Sequence, residues 1–201
     1  MATADEEISS AKRRAAADHV LAATRHLVGS DGLDVTMERI AEASGVSRRT
    51  LFRHFETRER LIAAALATGM KRYGEQLPSL SGDWRTWLRA TCQKTHELNA
   101  SYGPGYWELT TRTDLLPELA AVEQRRRDAR RGAMARIATT LWNAAGGTGP
   151  TPTTVIAATG AHLSAHFTEA VSTDVGANLA TAIDLAEAAI LDALRRSGVN
   201  S

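Results

Sequence analysis

Apolar residues along the chain recur at steps of three and four. No stretch alternates Val, Ile, Thr and aromatic residues with polar ones as a half-buried strand would. The pattern predicts an all-α protein of about nine helices. Val20, Ala23, Leu27 and Val28 form the stripe of a first helix from about Ser10 to Val28, stopped by the breaker from Gly29 to Gly32. Thr36 caps a short helix carrying Met37, Ile40 and Ala41. Gly45 breaks it, and Ser47 caps a second short helix carrying Leu51 and Phe55. Thr57 opens a longer helix whose buried side holds Leu61, Ile62, Ala65, Leu66 and Met70. Ser81 or Asp83 then starts a helix containing Trp84, Trp87 and Leu88, which ends at Gly103, Pro104 and Gly105. After a short segment from Tyr106 to Thr111, a long helix opens at Pro117 and stops at Gly146 and Gly147. Pro150 and Pro152 introduce a helix to about Val171, and Thr173 or Asp174 caps the last, to Arg196. The style of punctuation changes near Tyr73, which divides the chain into domains 1–72 and 73–201.

Composition narrows the classes. With 201 residues, 43% of them hydrophobic, the chain can bury a core in one or two small domains. No apolar run reaches the roughly 20 residues that a bilayer requires. The first residues are acidic and polar where a secretory signal would be basic and then hydrophobic. A soluble, cytoplasmic protein with no membrane partner is expected. The single cysteine, Cys92, can form no intramolecular disulfide and is poorly placed for zinc, so no metal or other cofactor is expected. A net charge of +1 argues against a protein that coats nucleic acid indiscriminately. Position changes that picture only locally. Residues 1–72 hold 12 basic and 10 acidic groups and 73–201 hold 12 and 13, but five Arg against two Glu between Ser47 and Arg60 give a patch of +3.

That patch lies on a motif whose spacing has a physical reason. In the segment TMERIAEASGVSRRTLFRHF, residues 36–55, two helices must cross steeply, and Ala41 is small enough for the crossing. Gly45 supplies the positive φ of the turn. Ile40, Val46 and Leu51 lock the pair, and Ser47 aims Arg48, Arg49 and Thr50 outward from the first turn of the second helix. Side chains there reach base edges in a major groove, and the helix N-terminus favours a phosphate. Arg holds guanine O6 and N7 with two hydrogen bonds, whereas His54 and Arg58 suit phosphates. The DNA-binding candidates are Thr36, Ser47, Arg48, Arg49, Thr50, Phe52, Arg53, His54 and Arg58.

From Val20 to Ile62 the landmarks Gly32, Thr36, Ile40-Ala41, Gly45-Val46-Ser47, Leu51-Phe52-Arg53-His54-Phe55 and Arg58-Leu61 resemble the N-terminal domain of the tetracycline-repressor (TetR) family of transcriptional regulators. The family pattern has Tyr where Phe52 stands and Lys where Arg58 stands. Phe52 cannot make the phenolic bond to the DNA backbone, and Arg58 keeps the charge. The resemblance implies an all-helical homodimer in which three helices bind double-stranded DNA, while a divergent C-terminal domain binds a small effector that loosens the grip. A repressor acting at a palindromic operator follows as the expectation, with half-sites about one helical turn, roughly 34 Å, apart or somewhat more.

Two further groups of candidates lie in the second half. Ile156, Gly160, Leu163 and Phe167 on the penultimate helix, and Leu179, Ile183, Ala186, Ile190 and Leu194 on the last, have heptad-like spacing. A second small or apolar face on each helix suggests a partner surface, and the resemblance assigns both helices to the dimer interface. Six of the ten aromatic residues fall between Trp84 and Trp142. Trp87, Cys92, His96, Tyr106, Trp107 and Trp142 are therefore effector-binding candidates, with ordinary core packing as the alternative. The Arg125 to Arg131 run reads as a solvated, ion-paired face, with contact to an anionic effector or a lipid-like carboxylate as the alternative.

Enzymatic signals are weak. His162 and His166 stand at i, i+4, but no further ligand follows at metal spacing, and no nucleophile signature or phosphate loop occurs. The expectation is a non-enzymatic regulator. The competing reading is a helical ligand-binding or catalytic protein with a non-functional helix-turn-helix.

Overall fold

The computed structural model describes residues 4–199, apart from the side chains of residues 4–9 and 70–74. Among the described residues there are ten α-helices, one π-helical turn and no strand. The helices are α1 (Ala4–Asp31), α2 (Met37–Ser44), α3 (Arg48–Phe55), α4 (Arg58–Glu75), α5 (Trp84–Ala100), α6 (Pro104–Thr111), α7 (Pro117–Ala144), α8 (Thr153–His162), α9 (Ala165–Glu169) and α10 (Leu179–Arg196). The π-helical turn, Ala170–Asp174, continues α9. No described helix is long and apolar enough to cross a membrane.

Local chemistry sets the helix ends. Helix α1 runs past Gly29 and stops at Gly32, whose φ of +89° is open to glycine at little cost. Gly45, at φ +64°, ends α2, and the Val46 N–H closes back on the Ala41 carbonyl at 3.2 Å. Side-chain caps open the others: Thr36 for α2, Ser47 for α3, Asp83 for α5, Ser164 for α9 and Asn178 for α10.

The chain forms two compact units. One comprises Met1–Arg72 with Tyr102–Arg125, the other Tyr73–Ser101 with Arg126–Ser201. The segment 102–125, which the sequence division after residue 72 placed in the second domain, packs with the first helices. Helix α6 lies against α1 because two glycines permit it. A Cβ on Gly103 would strike the Gly29 carbonyl, and one on Gly105 would strike that of Val28. The core of this unit gathers Val20, Leu27, Val28, Leu33, Ile40, Leu51, Leu61 and Ile62 with Leu109, Leu119 and Val122.

In the other unit α10 packs against α5 and α8. Its core contains Trp87, Leu88, Met134, Leu141, Leu163, Ile183 and Ile190, and a smaller cluster surrounds Trp142. The single helix expected from Pro152 to Val171 is broken after His162. At the break the Arg130 guanidinium donates to the Gly160 carbonyl at 2.7 Å and to that of Leu163 at 3.4 Å, and Asn99 also donates to Leu163 O at 3.3 Å. Carbonyls turned away from the helix ladder are thus satisfied from α5 and α7, and Ser164 recaps the chain. Arg130 is accordingly half-buried and engaged, in place of the solvated position expected for it.

Candidate nucleic-acid interface

Thr36 Oγ1 accepts the Arg39 N–H at 3.3 Å, and Ser47 Oγ accepts the Thr50 N–H at 3.3 Å. These caps start α2 and α3 on either side of the Gly45 turn. Ile40 and Leu51 are fully buried between the helices, with Ala41, Val46 and Phe55 packed against them. At 100° per residue, the burial of Leu51 turns Arg49 and Arg53 to the opposite face of α3. Arg48 and Phe52 flank that face on one side, Thr50 and His54 on the other. All of these except the half-buried Thr50 are exposed, Phe52 by 42%. The expected readers therefore share one solvent-facing surface.

Electrostatics distinguish the arginines. Arg48 pairs with Glu38 at 2.8 Å, and its guanidinium lies 5.9 Å from the centre of the Phe52 ring. The Glu38 carboxyl titrates below its ordinary value, chiefly through its own backbone N–H, with Arg48 and Thr36 adding to the effect. Arg58 departs from expectation. It donates to the Leu33 carbonyl at 3.0 Å and the Val35 carbonyl at 3.2 Å and pairs with Glu59 at 2.9 Å. Its donors are engaged inside the unit, where they hold the loop ahead of α2, so Arg58 is not a free phosphate ligand.

The same loop is held from α6 by residues that sequence reasoning missed. Glu108 accepts the Leu33 N–H at 2.7 Å, and Arg112 bridges Asp34 and Asp114, each at 3.2 Å. A Cβ on Gly32 would collide with the Glu108 carboxylate. No local motif marks these residues, since their partners lie about 75 positions away.

The effector candidates are not brought together as a set. Trp87, Cys92 and His96 share the buried face of α5. Trp87 Nε1 donates to the Pro78 carbonyl at 2.9 Å, and burial pushes the Cys92 thiol up to about 12. Trp142 belongs to the other cluster, with Val155, Leu194 and Val199, and its Nε1 donates to Gly149 O at 3.3 Å. Tyr106 and Trp107 lie in the first unit, where Tyr106 stacks on Tyr102 at 3.9 Å and meets Trp107 edge-on.

The interface candidates also divide. Leu163, Ile183, Ala186, Ile190 and Leu194 are buried within a single chain, and Ile156, Gly160, Phe167 and Leu179 are half-buried. The five buried side chains have no surface left for a partner, because the stripe that the sequence reading gave to a dimer fills the unit's own core. The outward faces are instead Ala157 and Ala161 on α8 and Leu185 and Ala188 on α10. The break between α8 and α9 also removes His162 and His166 from a common helix face. His162 Nδ1 lies 2.9 Å from the Ala158 carbonyl.

A capped helix pair with a left-handed glycine turn, presenting Arg49 and Arg53 from the exposed face of the second helix, has the geometry of a helix-turn-helix. Residues 20–65 match the family described as bacterial regulatory proteins, tetR family. Over 71 residues the chain is 37% identical to an uncharacterized HTH-type transcriptional regulator of Mycobacterium tuberculosis. That match covers 35% of this chain and 35% of the relative, about a third of its length. Among solved structures, a tetR-family regulator from Streptomyces coelicolor superposes with a TM-score of 0.66 at 15% identity, over 90% of this chain and 79% of that one. AibR, solved in complex with isovaleryl coenzyme A and operator DNA, superposes with a TM-score of 0.60 at 17% identity, over 86% of this chain and 96% of that one. Residues 20–65 thus match the tetR-family model, and most of the chain shares the fold of solved tetR-family regulators.

Proposed function

We propose that this protein is a cytoplasmic, non-enzymatic repressor that binds a palindromic operator as a homodimer and lets go when a small molecule occupies its second unit. The observation that carries the DNA-binding half is the exposed Arg49 and Arg53 face of α3, opposite buried Leu51. Two such faces related by a twofold axis read inverted half-sites, and the exposed ring of Phe52 suits a thymine methyl group in place of a backbone phosphate. The apolar residues Ala157, Ala161, Leu185 and Ala188, on two helices that pack together, support the twofold surface. AibR, crystallised with an acyl coenzyme A and its operator, is a regulator of this fold that holds both kinds of partner.

Selection of binding sites from a random DNA pool tests this reading. The expected outcome is an inverted repeat bound with high affinity, and a weakening of roughly a hundredfold or more when Arg49 and Arg53 are both changed to Ala, with helical content intact. Leu185→Glu is expected to yield a monomer by light scattering that no longer binds the full operator. A selected site without inverted symmetry, or binding unaffected by the arginine changes, would favour a ligand-binding protein whose helix-turn-helix is inactive.

A further inference from the structure

The buried face of α5 is unusually polar. Thr91, Thr95, His96 and Asn99 are all buried there, among Trp87, Leu88 and Cys92. Thr159 on α8 and Thr168 on α9 are buried with them in the same unit. Part of this set is satisfied. Thr168 Oγ1 donates to the Ser164 carbonyl at 3.1 Å and accepts from Asn99 Nδ2 at 3.0 Å. With its proton engaged, Thr168 accepts from His96 Nδ1, 2.8 Å away. Assigning the Thr168 proton to the Ser164 carbonyl makes Nδ1 the ring's donor and leaves His96 Nε2 with a lone pair and no donor.

The rest is not satisfied. His96 Nε2 and the hydroxyls of Thr91, Thr95 and Thr159 have no hydrogen-bond partner. Every unpartnered buried side-chain atom among the described residues therefore lies in one unit, three of them along one helix face. The fourth, Thr159, stands one turn before Leu163, whose carbonyl Asn99 holds. Native interiors pair such groups almost without exception, so a concentration of four calls for a partner from outside the chain. None of the described buried polar residues in this unit is an acid, Lys or Arg. The one buried acid, Glu123, belongs to the other unit. Apolar surface from Leu88, Leu163 and Phe167 lies close by, the Phe167 ring 5.9 Å from that of His96.

We propose that this polar face is the recognition surface for a small uncharged ligand bearing a hydroxyl or amide N–H, which donates to His96 Nε2 while threonine hydroxyls bond its other polar atoms. This rests on the effector-responsive reading above and specifies its ligand. A carboxylate is disfavoured, because it would present acceptors to an acceptor, and Arg130 beside the site already donates to the Gly160 and Leu163 carbonyls. Imidazole-nitrogen NMR of the full-length protein, free of DNA, tests the idea with matched pairs of probes: benzyl alcohol and benzoate, octan-1-ol and octanoate, benzamide and hippurate. At least one neutral donor is expected to shift the His96 Nε2 resonance and to bind at least tenfold more tightly than its carboxylate partner. Failure of all three neutral probes to move that resonance, or equal or tighter binding of the carboxylates, overturns the proposal.

Thr95→Val and Thr159→Val provide a readout that a purely structural role would not give. Each replaces an unpaired hydroxyl by a methyl group, so the melting temperature of the ligand-free protein is expected to rise while affinity for the neutral probe falls by roughly tenfold. Lower melting temperatures with affinity unchanged would show that the hydroxyls serve only the fold. Release from the selected operator is measured separately. Binding at His96 without release would refute the effector response and leave the ligand chemistry standing, whereas absence of any selected operator would refute the DNA-binding reading alone.

Discussion

Helices α3 and α5 both carry closely spaced polar residues, yet one turns them outward and the other inward. On α3, Leu51 is the only fully buried residue, and Arg48, Arg49, Arg53 and His54 face solvent. On α5, Arg85, Arg89, Gln93 and Glu97 form the outer face, while Thr91, Thr95, His96 and Asn99 are enclosed. The outward set keeps its hydration until a charged partner replaces it. The inward set lost its hydration on folding and recovered only part of it in protein hydrogen bonds. Polar residues are therefore open to solvent on α3, whereas on α5 they are enclosed and some are unsatisfied.

Acid should expose this contrast most strongly. Burial, with a smaller contribution from the nearby His162, lowers the His96 pKa from its ordinary 6.5 to about 4. Between those values the unfolded chain binds more protons than the folded one, so stability falls as the pH drops from about 6.5 to about 4 and is level above. The loss amounts to about 3 kcal/mol at most. His96→Gln should flatten it in urea titrations across that window. An unaltered slope in His96→Gln would show that the imidazole is not the group that titrates.

Next in size is the difference between two arginines only five positions apart. Arg58→Met removes the donors to Leu33 and Val35 and should cost about 2 kcal/mol of stability by denaturant melts. Arg53→Met should cost less than about 0.5 kcal/mol and act on operator affinity instead. Equal stability losses would erase the distinction between an inward and an outward guanidinium. The smallest effect concerns Cys92. With its thiol raised to about 12 by burial, it should resist iodoacetamide in the native protein at pH 8 and react in urea, as mass spectrometry would show.

Much of the recognition helix was legible in the sequence. Thr36, Gly45 and Ser47 act through bonds to residues no more than five positions away, so their spacing alone revealed the turn and its two helices. The role of Arg58 was not legible, because its partners are the carbonyls of residues 23 and 25 positions earlier. The burial of five interface candidates within the chain was not legible for a related reason. A heptad-like stripe has the same spacing whether it meets a second chain or its own, and Ile183, Ala186, Ile190 and Leu194 meet their own. The break after His162 was not legible, although Gly160 precedes it by two positions, because the carbonyls it frees are held by Arg130 and Asn99 from distant helices.

By itself, then, the sequence determined the helical class, the helix-turn-helix and the outward face of α3. Propensity, caps and period operate within one or two turns of chain and need no distant partner. Only the tertiary structure decided that α6 belongs with the first unit and that Arg58 and Arg130 are internal ties. It alone also showed that a row of threonines and a histidine on α5 is enclosed with its hydrogen bonds unfinished. Those outcomes depend on what lies opposite each side chain, and burial and hydrogen-bond satisfaction are set by neighbours that only folding brings near.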